Sequence, residues 1–280
     1  MKSIVTGYKG FIGSALWSSL SPDDDEAGLE NIQQAPDNWF EGIDIVYHLA
    51  AHNPSVMALQ DGPLESANDY VNTLILLDKM RRNDVPKIVF TSSSTVYGKA
   101  FGPAHESSPL NPISIYGTMK AAIEQLIKGF CISYGMQYVI LRLANIVGSG
   151  AKRGIIPDLI TRLLGRQDRL AIIGDGTQTK SYLYIDDCVE MIKAAATDPI
   201  GNVIYNIGNI DDISVNEIVN IICKVMDLNP TRVHKNNWAG DVEHIFMDTT
   251  KLGYVPKYDS AQAVERTVCG ILEKNEKMPA

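Results

Sequence analysis

Tyr116 and Lys120, a tyrosine and a lysine four residues apart, are the residues of this 280-residue chain that most directly suggest chemistry. On a helix this spacing places both side chains on one face, one above the other. A nearby lysine ammonium favours the phenolate form of a tyrosine, and a phenolate can take the proton of a hydroxyl group while hydride leaves the attached carbon. Such a pair is expected about once by chance in a chain of this length. It therefore indicates a dehydrogenase-type site only if the other parts of that site are present.

Ser93 lies in a cluster of hydroxyl residues, 92–95, that follows a buried strand predicted at 88–91. Ligands of doubly wound proteins bind at the carboxyl ends of the parallel strands, which favours a role for this cluster in the site. A serine cluster is also typical of a turn that caps itself. The helix that carries Tyr116 is predicted to run to about Tyr134, and another buried strand is predicted at 139–142.

Gly7, Gly10 and Gly13 form a Gly-x-x-Gly-x-x-Gly sequence between a short apolar strand at 3–6 and a helix predicted at 14–20. Glycines allow the backbone to turn sharply and to approach a pyrophosphate, whose charge is stabilised at the helix N-terminus. The pattern predicts a dinucleotide-binding loop. The other members of the predicted cofactor-binding loop are Lys9, Phe11 and Ile12.

The segment that follows the first helix is unusually short, because only about thirty residues separate Gly13 from a strand predicted at 43–47. One strand–helix–strand unit needs ~30 residues including both strands, so the sheet is expected to lack a strand or a helix here. Residues 27–30 are typical of one short strand. Glu30 follows Gly10 by twenty residues, the interval at which an acidic residue commonly meets the adenosine ribose. A surface glutamate is the alternative interpretation.

Small residues close the strand that ends near His48. Leu49, Ala50 and Ala51 would let the backbone touch a flat cofactor. His48 itself is predicted to be a packed or hydrogen-bonded histidine rather than a base or a metal ligand.

Composition excludes several classes of function. The formal net charge of −8 disfavours nucleic acid and anionic membranes as partners. There is no apolar run of membrane-spanning length and no leader pattern at the N-terminus. The four cysteines are widely spaced in apolar, helix-like runs and are expected to be reduced and buried, as in a cytoplasmic protein, with no metal site.

The motifs occur in a fixed order along the chain. In the first half they are Thr6-Gly-x-x-Gly-x-x-Gly13, His48-x-Ala-Ala51, Ser92-Ser93-x-x-Val96-Tyr97-Gly98, Tyr116-x-x-x-Lys120 and Arg142-x-x-Asn145. In the second half they include Ile156-Pro157, Leu170–Thr177, Tyr182-x-x-Ile185-Asp186-Asp187, Tyr205-Asn206-Ile207-Gly208 and Gly240-Asp241. This order resembles the extended short-chain dehydrogenase/reductase family, in its nucleotide-sugar epimerase/dehydratase branch, over nearly the whole chain except residues 21–42.

The resemblance implies an α/β fold with two parts. A Rossmann-type doubly wound parallel sheet would span residues 1–148, with part of 180–208 packing back on it. A smaller C-terminal α/β domain, residues 149–280, would bind the substrate. The resemblance also implies a homodimer, in which helices at 64–82 and 115–134 pair across the interface as a four-helix bundle.

The resemblance gives each candidate catalytic residue a role. Tyr116 would be the base, and Ser93 would hydrogen-bond the reacting sugar hydroxyl. Lys120 would hold the nicotinamide ribose and lower the pKa of the tyrosine. Asn145 falls on a position that contacts the phosphate or sugar side of the substrate.

The distribution of cations predicts NAD rather than NADP as the cofactor. No Lys or Arg occurs between Lys9 and Lys79, so Lys9 in the glycine loop is the only cation of this stretch that could pair with a 2′-phosphate.

The residues before Val96 indicate the reaction. Dehydratases of this branch carry an acid there, whereas this chain has Ser94 and Thr95, neither of which is a carboxylic acid. Epimerase-reductases that make GDP-fucose share the short early segment but have a cysteine in place of Thr95 and a histidine in place of Gly154. Epimerisation at C4 needs only the Ser93, Tyr116 and Lys120 set with NAD, so 4-epimerisation of a UDP-hexose is the favoured reaction.

Three alternatives stay open at the level of sequence. The first is an NADPH-dependent keto-sugar reductase. The second is a catalytically idle dinucleotide sensor, which the intact catalytic set argues against. The third is a family member that acts on a non-nucleotide substrate.

The predicted substrate anchor departs from the family pattern. UDP-sugar epimerases commonly hold the diphosphate with two arginines, whose planar forks suit phosphate oxygens. Here those positions fall on Lys180, which keeps the charge without the fork, and on Trp238, which keeps neither. Asp241 still matches the nucleotide-binding pattern. Arg153, Arg162 and Lys235 are candidates to replace the missing cation.

Overall fold

The computed structural model describes residues 1–20, 26–51, 63–99, 102–236 and 244–276 of the chain. Within these ranges, six strands form one parallel sheet in the spatial order β10-β5-β4-β3-β1-β2. The strands are β1 (Ser3–Thr6), β2 (Glu26–Leu29), β3 (Ile45–His48), β4 (Lys87–Ser93), β5 (Gln137–Leu143) and β10 (Val203–Ile207). A parallel sheet needs both faces covered, and β1, β3, β4, β5 and β10 are accordingly mostly buried.

Helices cover both faces of this sheet, as a doubly wound fold requires. On one face α2 (Pro63–Arg82) and α3 (Ile115–Tyr134) bury residues such as Leu77 and Ile127 against it. On the other face α1 (Phe11–Ser19) and α5 (Ile185–Ala196) contribute Leu16 and Ile192. The predicted Rossmann-type architecture is therefore confirmed. The helix α1 begins three residues earlier than predicted, because Gly10 already takes the extended backbone of an N-cap.

The shortened early segment is also confirmed, in a specific form. β2 is present, but residues 30–44 connect it to β3 with a single 3-10 turn, Asp37–Phe40, where a full helix would normally stand. Phe40 is fully buried, and Ile32 and Ala35 pack into the same core as α2 and α3. The turn therefore supplies the apolar cover that a helix would otherwise give to this part of the sheet.

The second half combines small sheets with three helices. The helices are α4 (Ile155–Gly165), α6 (Val215–Met226) and α7 (Ser260–Glu276), and they share a core with β7 (Arg169–Ile173), which pairs in parallel with β12 (Thr231–Lys235). β8 (Thr179–Lys180) pairs with β11 (Ile213–Ser214) and β13 (His244–Ile245), and β6 (Asn145–Val147) pairs with β9 (Tyr182–Tyr184). Because β10 pairs with β5 in the large sheet, the chain returns to that sheet before it forms β11 to α7. The domain boundary at 148 stays a prediction.

One expectation about the cysteines is wrong. All four are free, and Cys131, Cys188 and Cys223 are buried, but Cys269 is exposed. It follows Val268 directly on α7, about a quarter turn away from the buried face that Val264 and Val268 form. None of the described helices is long and apolar enough to cross a membrane. The predicted cytoplasmic location stays a prediction.

Candidate active site

The glycine loop lies where the strand order reverses, between β1 and β3, which is the crevice that binds ligands in doubly wound sheets. Gly7 follows β1 with a φ of 70°, a conformation that favours glycine. A Cβ on Gly7 would lie 2.8 Å from the backbone of Ala50, and a Cβ on Gly13 would lie 2.1 Å from the carbonyl oxygen of Gly7. The loop therefore packs so closely against α1 and the end of β3 that side chains are excluded at these positions.

The N-terminus of α1 has free amide groups that can bind an anion. Gly10 is its N-cap, no side chain caps the helix, and its first turn contains no acidic residue. The amide groups at the start of the helix, at Phe11, Ile12 and Gly13, carry the partial positive charge of the helix dipole. A groove of about 600 Å³ runs past the loop, and its lining includes Gly7, Gly10, Glu30, Leu49, Ala50 and Ala51. The groove and the uncapped start of α1 fit a dinucleotide cofactor, and the contact of Glu30 with the adenosine ribose stays a prediction.

Lys9 and Glu30 form an ion pair at the adenosine end of this groove. The lysine Nζ lies 2.5 Å from the Glu30 carboxylate, and both side chains are more than half exposed. Hydrogen bonding to Glu30 raises the pKa of Lys9. Glu30 therefore neutralises Lys9, the cation of the glycine loop that could otherwise receive a 2′-phosphate. This arrangement agrees with NAD as the cofactor.

A buried hydrogen-bond chain holds the other wall of the groove. Thr73 Oγ1 donates to the carbonyl oxygen of Asp69 at 2.7 Å and lies 2.9 Å from His48 Nε2, and His48 Nδ1 lies 2.8 Å from Thr6 Oγ1. The Ala50 amide in turn donates to Thr6 Oγ1 at 3.1 Å. Because Thr73 has given its single proton to a carbonyl, His48 must carry its proton on Nε2 and accept at Nδ1.

The protonation of His48 fits this structural role. Burial lowers the pKa of the imidazole to about 3, so it is neutral at physiological pH. The prediction of a hydrogen-bonded histidine is confirmed. Its effect is to fix the Ala50 amide against Gly7, and hence the width of the groove at that point.

Ser93, Tyr116 and Lys120 converge at the end of β4. Ser93 is the last residue of that strand, and its Oγ accepts from the Thr95 amide at 3.3 Å as it caps the 3-10 turn Ser94–Tyr97. Tyr116 is the second residue of α3, and its hydroxyl lies near enough to Ser93 for that side chain to lower its pKa. Lys120 lies one turn later and is buried. The serine cluster is thus both a self-capping turn and part of the site.

The start of α3 is placed by close packing on this turn. Ser114 caps the helix by accepting from the Gly117 amide at 3.1 Å. A Cβ on Gly117 would lie 2.7 Å from the carbonyl oxygen of Thr95. The first turn of α3, which carries Tyr116, therefore rests directly on the turn that follows Ser93.

Burial is the main influence on the pKa of Tyr116 in this structure, and the lowering expected from Lys120 stays a prediction. Burial raises the pKa of Tyr116 to about 12, a hydrogen bond from Ser93 opposes the rise, and the charge of Asp69 adds to it. Lys120 Nζ donates to the carbonyl oxygen of Thr91 at 2.9 Å and lies 5.9 Å from the Tyr116 ring centre. Burial also lowers the pKa of Lys120 to about 8. The loss of solvent therefore has the largest effect on the pKa of Tyr116, and Ser93 is the neighbour that opposes it.

A buried ion pair behind the site escaped the sequence analysis. Arg142 on β5 and Glu124 on α3 are 2.7 Å apart and almost fully buried. Ser92 Oγ donates to the same carboxylate at 2.6 Å. Glu124 follows Lys120 by one helical turn, and this spacing is the feature of the sequence that places Glu124 on the same helix face as the site. The pair joins α3 to β4 and β5, and so fixes the helix that carries Tyr116 relative to Ser93.

The structure brings two predicted substrate residues to one edge. Asn145 begins β6, is exposed, and donates from Nδ2 to the carbonyl oxygen of Ser181 at 3.2 Å. Lys180 ends β8 directly before Ser181. Trp238 and Asp241 lie outside the described residues. The described residues contain no cluster of three or more groups that could hold a metal ion.

Comparisons with known proteins agree with this geometry. Residues 3–208 match the sequence model of the NAD dependent epimerase/dehydratase family. A putative UDP-glucose 4-epimerase of Methanocaldococcus jannaschii is 30% identical, with 95% of this chain and 96% of the relative covered.

Solved structures give the same result. A crystal structure of a UDP-galactose 4-epimerase is 33% identical and superposes with a TM-score of 0.83 over 98% of this chain and 99% of its own. The UDP-glucuronic acid 4-epimerase of Bacillus cereus, solved with UDP-glucuronic acid and NAD, is 26% identical with a TM-score of 0.89 over 98% of this chain and 100% of its own.

Proposed function

The chain belongs to the NAD-dependent epimerase/dehydratase family of extended short-chain dehydrogenases/reductases, and we propose that within it the protein is a 4-epimerase of a UDP-hexose. The observation that carries this proposal is the convergence of Ser93, Tyr116 and Lys120 at the end of β4, beside the glycine-loop groove. The relatives named as UDP-sugar 4-epimerases support it. Ser94 and Thr95 stand where a dehydratase has its acid, so loss of water from the sugar has no acid catalyst there.

The residues of the chain divide the proposed reaction between them. Tyr116, as the phenolate, takes the proton of the sugar 4-hydroxyl, and later returns it to the oxygen of the 4-keto sugar. Ser93 donates a hydrogen bond that stabilises the phenolate. When bound, NAD supplies the acceptor for the hydride that leaves C4 and the donor that returns it to the opposite face. Lys120 and the groove residues, Gly7 and Ala50 among them, would hold this cofactor.

The test is the interconversion of UDP-glucose and UDP-galactose by the purified protein. We expect conversion in both directions with no net consumption of added cofactor, because the hydride is returned in each turnover. Net oxidation of NADPH by a 4-keto sugar, with no epimer formed, would instead identify a keto-sugar reductase. If calorimetry showed no binding of UDP, GDP or dTDP, the nucleotide-sugar assignment would be wrong.

We further propose that Lys180 is the anchor for the substrate diphosphate. Lys180→Ala is expected to raise KM for the UDP-sugar by roughly ten- to a hundredfold, the ~1.5–3 kcal/mol of a charged hydrogen bond. The kcat should change little, since the diphosphate is held equally in the ground state and the transition state. Steady-state kinetics measure both constants.

The control for this variant is Lys224→Ala, which removes a lysine whose side chain is 80% exposed on α6. It should leave both constants unchanged. A fall in kcat at constant KM for Lys180→Ala would contradict the anchoring role.

The homodimer is proposed to form through α2 and α3. Val71 and Leu74 on α2 are both more than 40% exposed, one helical turn apart, so they form an apolar stripe at the surface. Leu74→Glu is expected to convert the dimer to a monomer in light-scattering measurements. Ile200→Glu, at an apolar residue exposed after α5, is the control and should remain a dimer. A Leu74→Glu protein of unchanged mass would exclude this interface.

A further inference from the structure

We propose that Thr95 is a positioning residue that makes Ser93 a hydrogen-bond donor to the phenolate form of Tyr116, an inference that rests on the proposed function. Thr95 stands at a position where dehydratases of the family carry an acid. Because threonine has no carboxyl group, the sequence disfavours a dehydratase. The structure gives its hydroxyl group a role of its own.

Two groups of Thr95 reach the same atom. Its Oγ1 lies 2.9 Å from Ser93 Oγ, and its backbone amide donates to Ser93 Oγ at 3.3 Å. A serine hydroxyl has one proton to donate and two lone pairs that accept. While Thr95 donates both of these bonds, the two lone pairs of Ser93 Oγ are occupied, and Ser93 can form one further hydrogen bond only by donating its own proton.

Tyr116 is the residue we assign to that further hydrogen bond, because the adjacent Gly117 packs on the carbonyl oxygen of Thr95 and Ser93 acts on the Tyr116 pKa. When Tyr116 is neutral, the hydrogen bonds can also have the opposite direction, in which Tyr116 donates to Ser93 and Ser93 donates to Thr95. When Tyr116 is the phenolate, it has no proton to give, so Ser93 must donate to it and Thr95 must donate to Ser93. The Thr95 hydroxyl therefore acts on the reactive form of the base, through Ser93. Aligned hydrogen bonds of this kind polarise one another and become stronger.

The backbone fixes the relative positions of the Ser93, Thr95 and Tyr116 hydroxyl groups. Thr95 belongs to the 3-10 turn that Ser93 caps, and its carbonyl oxygen lies against Gly117 in the first turn of α3. The turn ends at Gly98, where a Cβ would lie 1.8 Å from the carbonyl oxygen of Asn111. Thr95 is thus fixed by close backbone contacts relative to both Ser93 and Tyr116.

The arrangement also indicates which groups gain, lose or keep a proton in the oxidation step. The O–H bond of the sugar 4-hydroxyl breaks and an O–H bond forms on Tyr116; the hydride of C4 would be accepted by NAD when NAD is bound. Ser93 and Thr95 keep their own protons throughout. Ser93 is then a fixed donor, and it is not a relay that passes the sugar proton to Tyr116.

Thr95→Val tests this role, because valine keeps the branched shape of threonine and its backbone amide but has no hydroxyl group. We expect kcat at neutral pH to fall about three- to tenfold, the size of one net hydrogen bond, with KM changed less than about twofold, since uniform substrate binding is unaffected. The base becomes active as it loses its proton, so a higher pKa must move the rising limb of the pH–rate profile to higher pH. Thr95→Ser should restore the wild-type rate and limb.

A double-mutant cycle separates an action through Ser93 from other roles. In a Ser93→Ala background, Thr95→Val should have no further effect on kcat, because the intermediate group is gone. A Thr95 effect that persists in that background would mean direct contact with substrate or a general structural role, and would overturn the proposal. Thr118→Val is the control, since Thr118 Oγ1 bonds to the Ser114 carbonyl at 3.0 Å in the same region and should be replaceable without loss.

Nuclear magnetic resonance gives a readout that does not need turnover. Tyrosines labelled with ¹³C at Cζ report their own protonation, and the signal of Tyr116 is the one that Tyr116→Phe removes. In the NAD-loaded protein, its titration midpoint should be higher in Thr95→Val than in the wild type by about half a unit or more, and unchanged in Thr95→Ser. Equal midpoints in all three proteins would overturn the proposal. Failure of the wild type to epimerise UDP-sugars would instead count against the proposed function, and the midpoints would still decide the role of Thr95.

Discussion

Replacing Tyr116 with phenylalanine is expected to lower kcat by at least about 10²-fold while NAD remains bound, since general-base catalysis contributes this much. The hydroxyl group is the only atom that the substitution removes, and its pKa is set by burial and by Ser93. Retention of NAD follows because the glycine loop, α1 and Glu30 are not altered. Initial rates with saturating UDP-sugar measure kcat, and the NAD released on denaturation measures how much cofactor the variant retains.

Tyr134→Phe is the matched control for Tyr116→Phe. Tyr134 ends the same helix, is more than half exposed, and packs its ring against Phe130. It should keep wild-type kcat. A Tyr116→Phe enzyme with near-normal turnover on its true substrate would mean that another group is the base.

Glu124→Gln is expected to reduce the free energy of unfolding by about 3 kcal/mol, the scale on which breaking a buried ion pair destabilises a protein. Glutamine has nearly the same shape, but it leaves the Arg142 charge buried without its counter-charge. Arg142 is 1% exposed and its Tyr97 neighbour is neutral, so no other described contact replaces the carboxylate. Urea denaturation measures the change as a lower midpoint at a similar slope.

A solvent-exposed pair provides the comparison for the buried one. Arg166 and Asp168 lie 2.8 Å apart, but both side chains are more than 60% exposed. Surface ion pairs contribute little because water and salt screen them, so Asp168→Asn should leave the urea midpoint unchanged. Equal midpoints for Glu124→Gln and wild type would show that the buried pair contributes nothing to stability.

The sequence was sufficient for features that depend on local spacing. The glycine triplet predicted the loop between β1 and α1, and the four-residue interval of Tyr116 and Lys120 predicted their common helix face. The short interval before β3 predicted a reduced early segment. In each case the residues that make the feature are neighbours in the chain, so their types and intervals determine it.

The sequence was insufficient where distant segments meet. The pKa of Tyr116 depends on how completely the surrounding elements exclude solvent, which no residue interval records. The pairing of Arg142 with Glu124 requires β5 and α3 to be in place. The contacts of His48 with Thr6 and Thr73 require three elements, β3, β1 and α2. Trp238 and Asp241 stay predictions, as do the roles assigned to the site residues.

The position of β10 has a consequence for the order in which this protein can be made. β10 is the neighbour that completes the β5 edge of the large sheet, yet it follows β6–β9, α4 and α5 in the chain. During synthesis β5 therefore emerges well before the strand that covers its edge, and its backbone groups on that side have no strand partner until residue 207 has been made. An open strand edge is a surface at which chains associate wrongly. The large sheet thus becomes complete only after α4 and α5 have been translated, so its folding depends on a long segment that follows β5 in the chain.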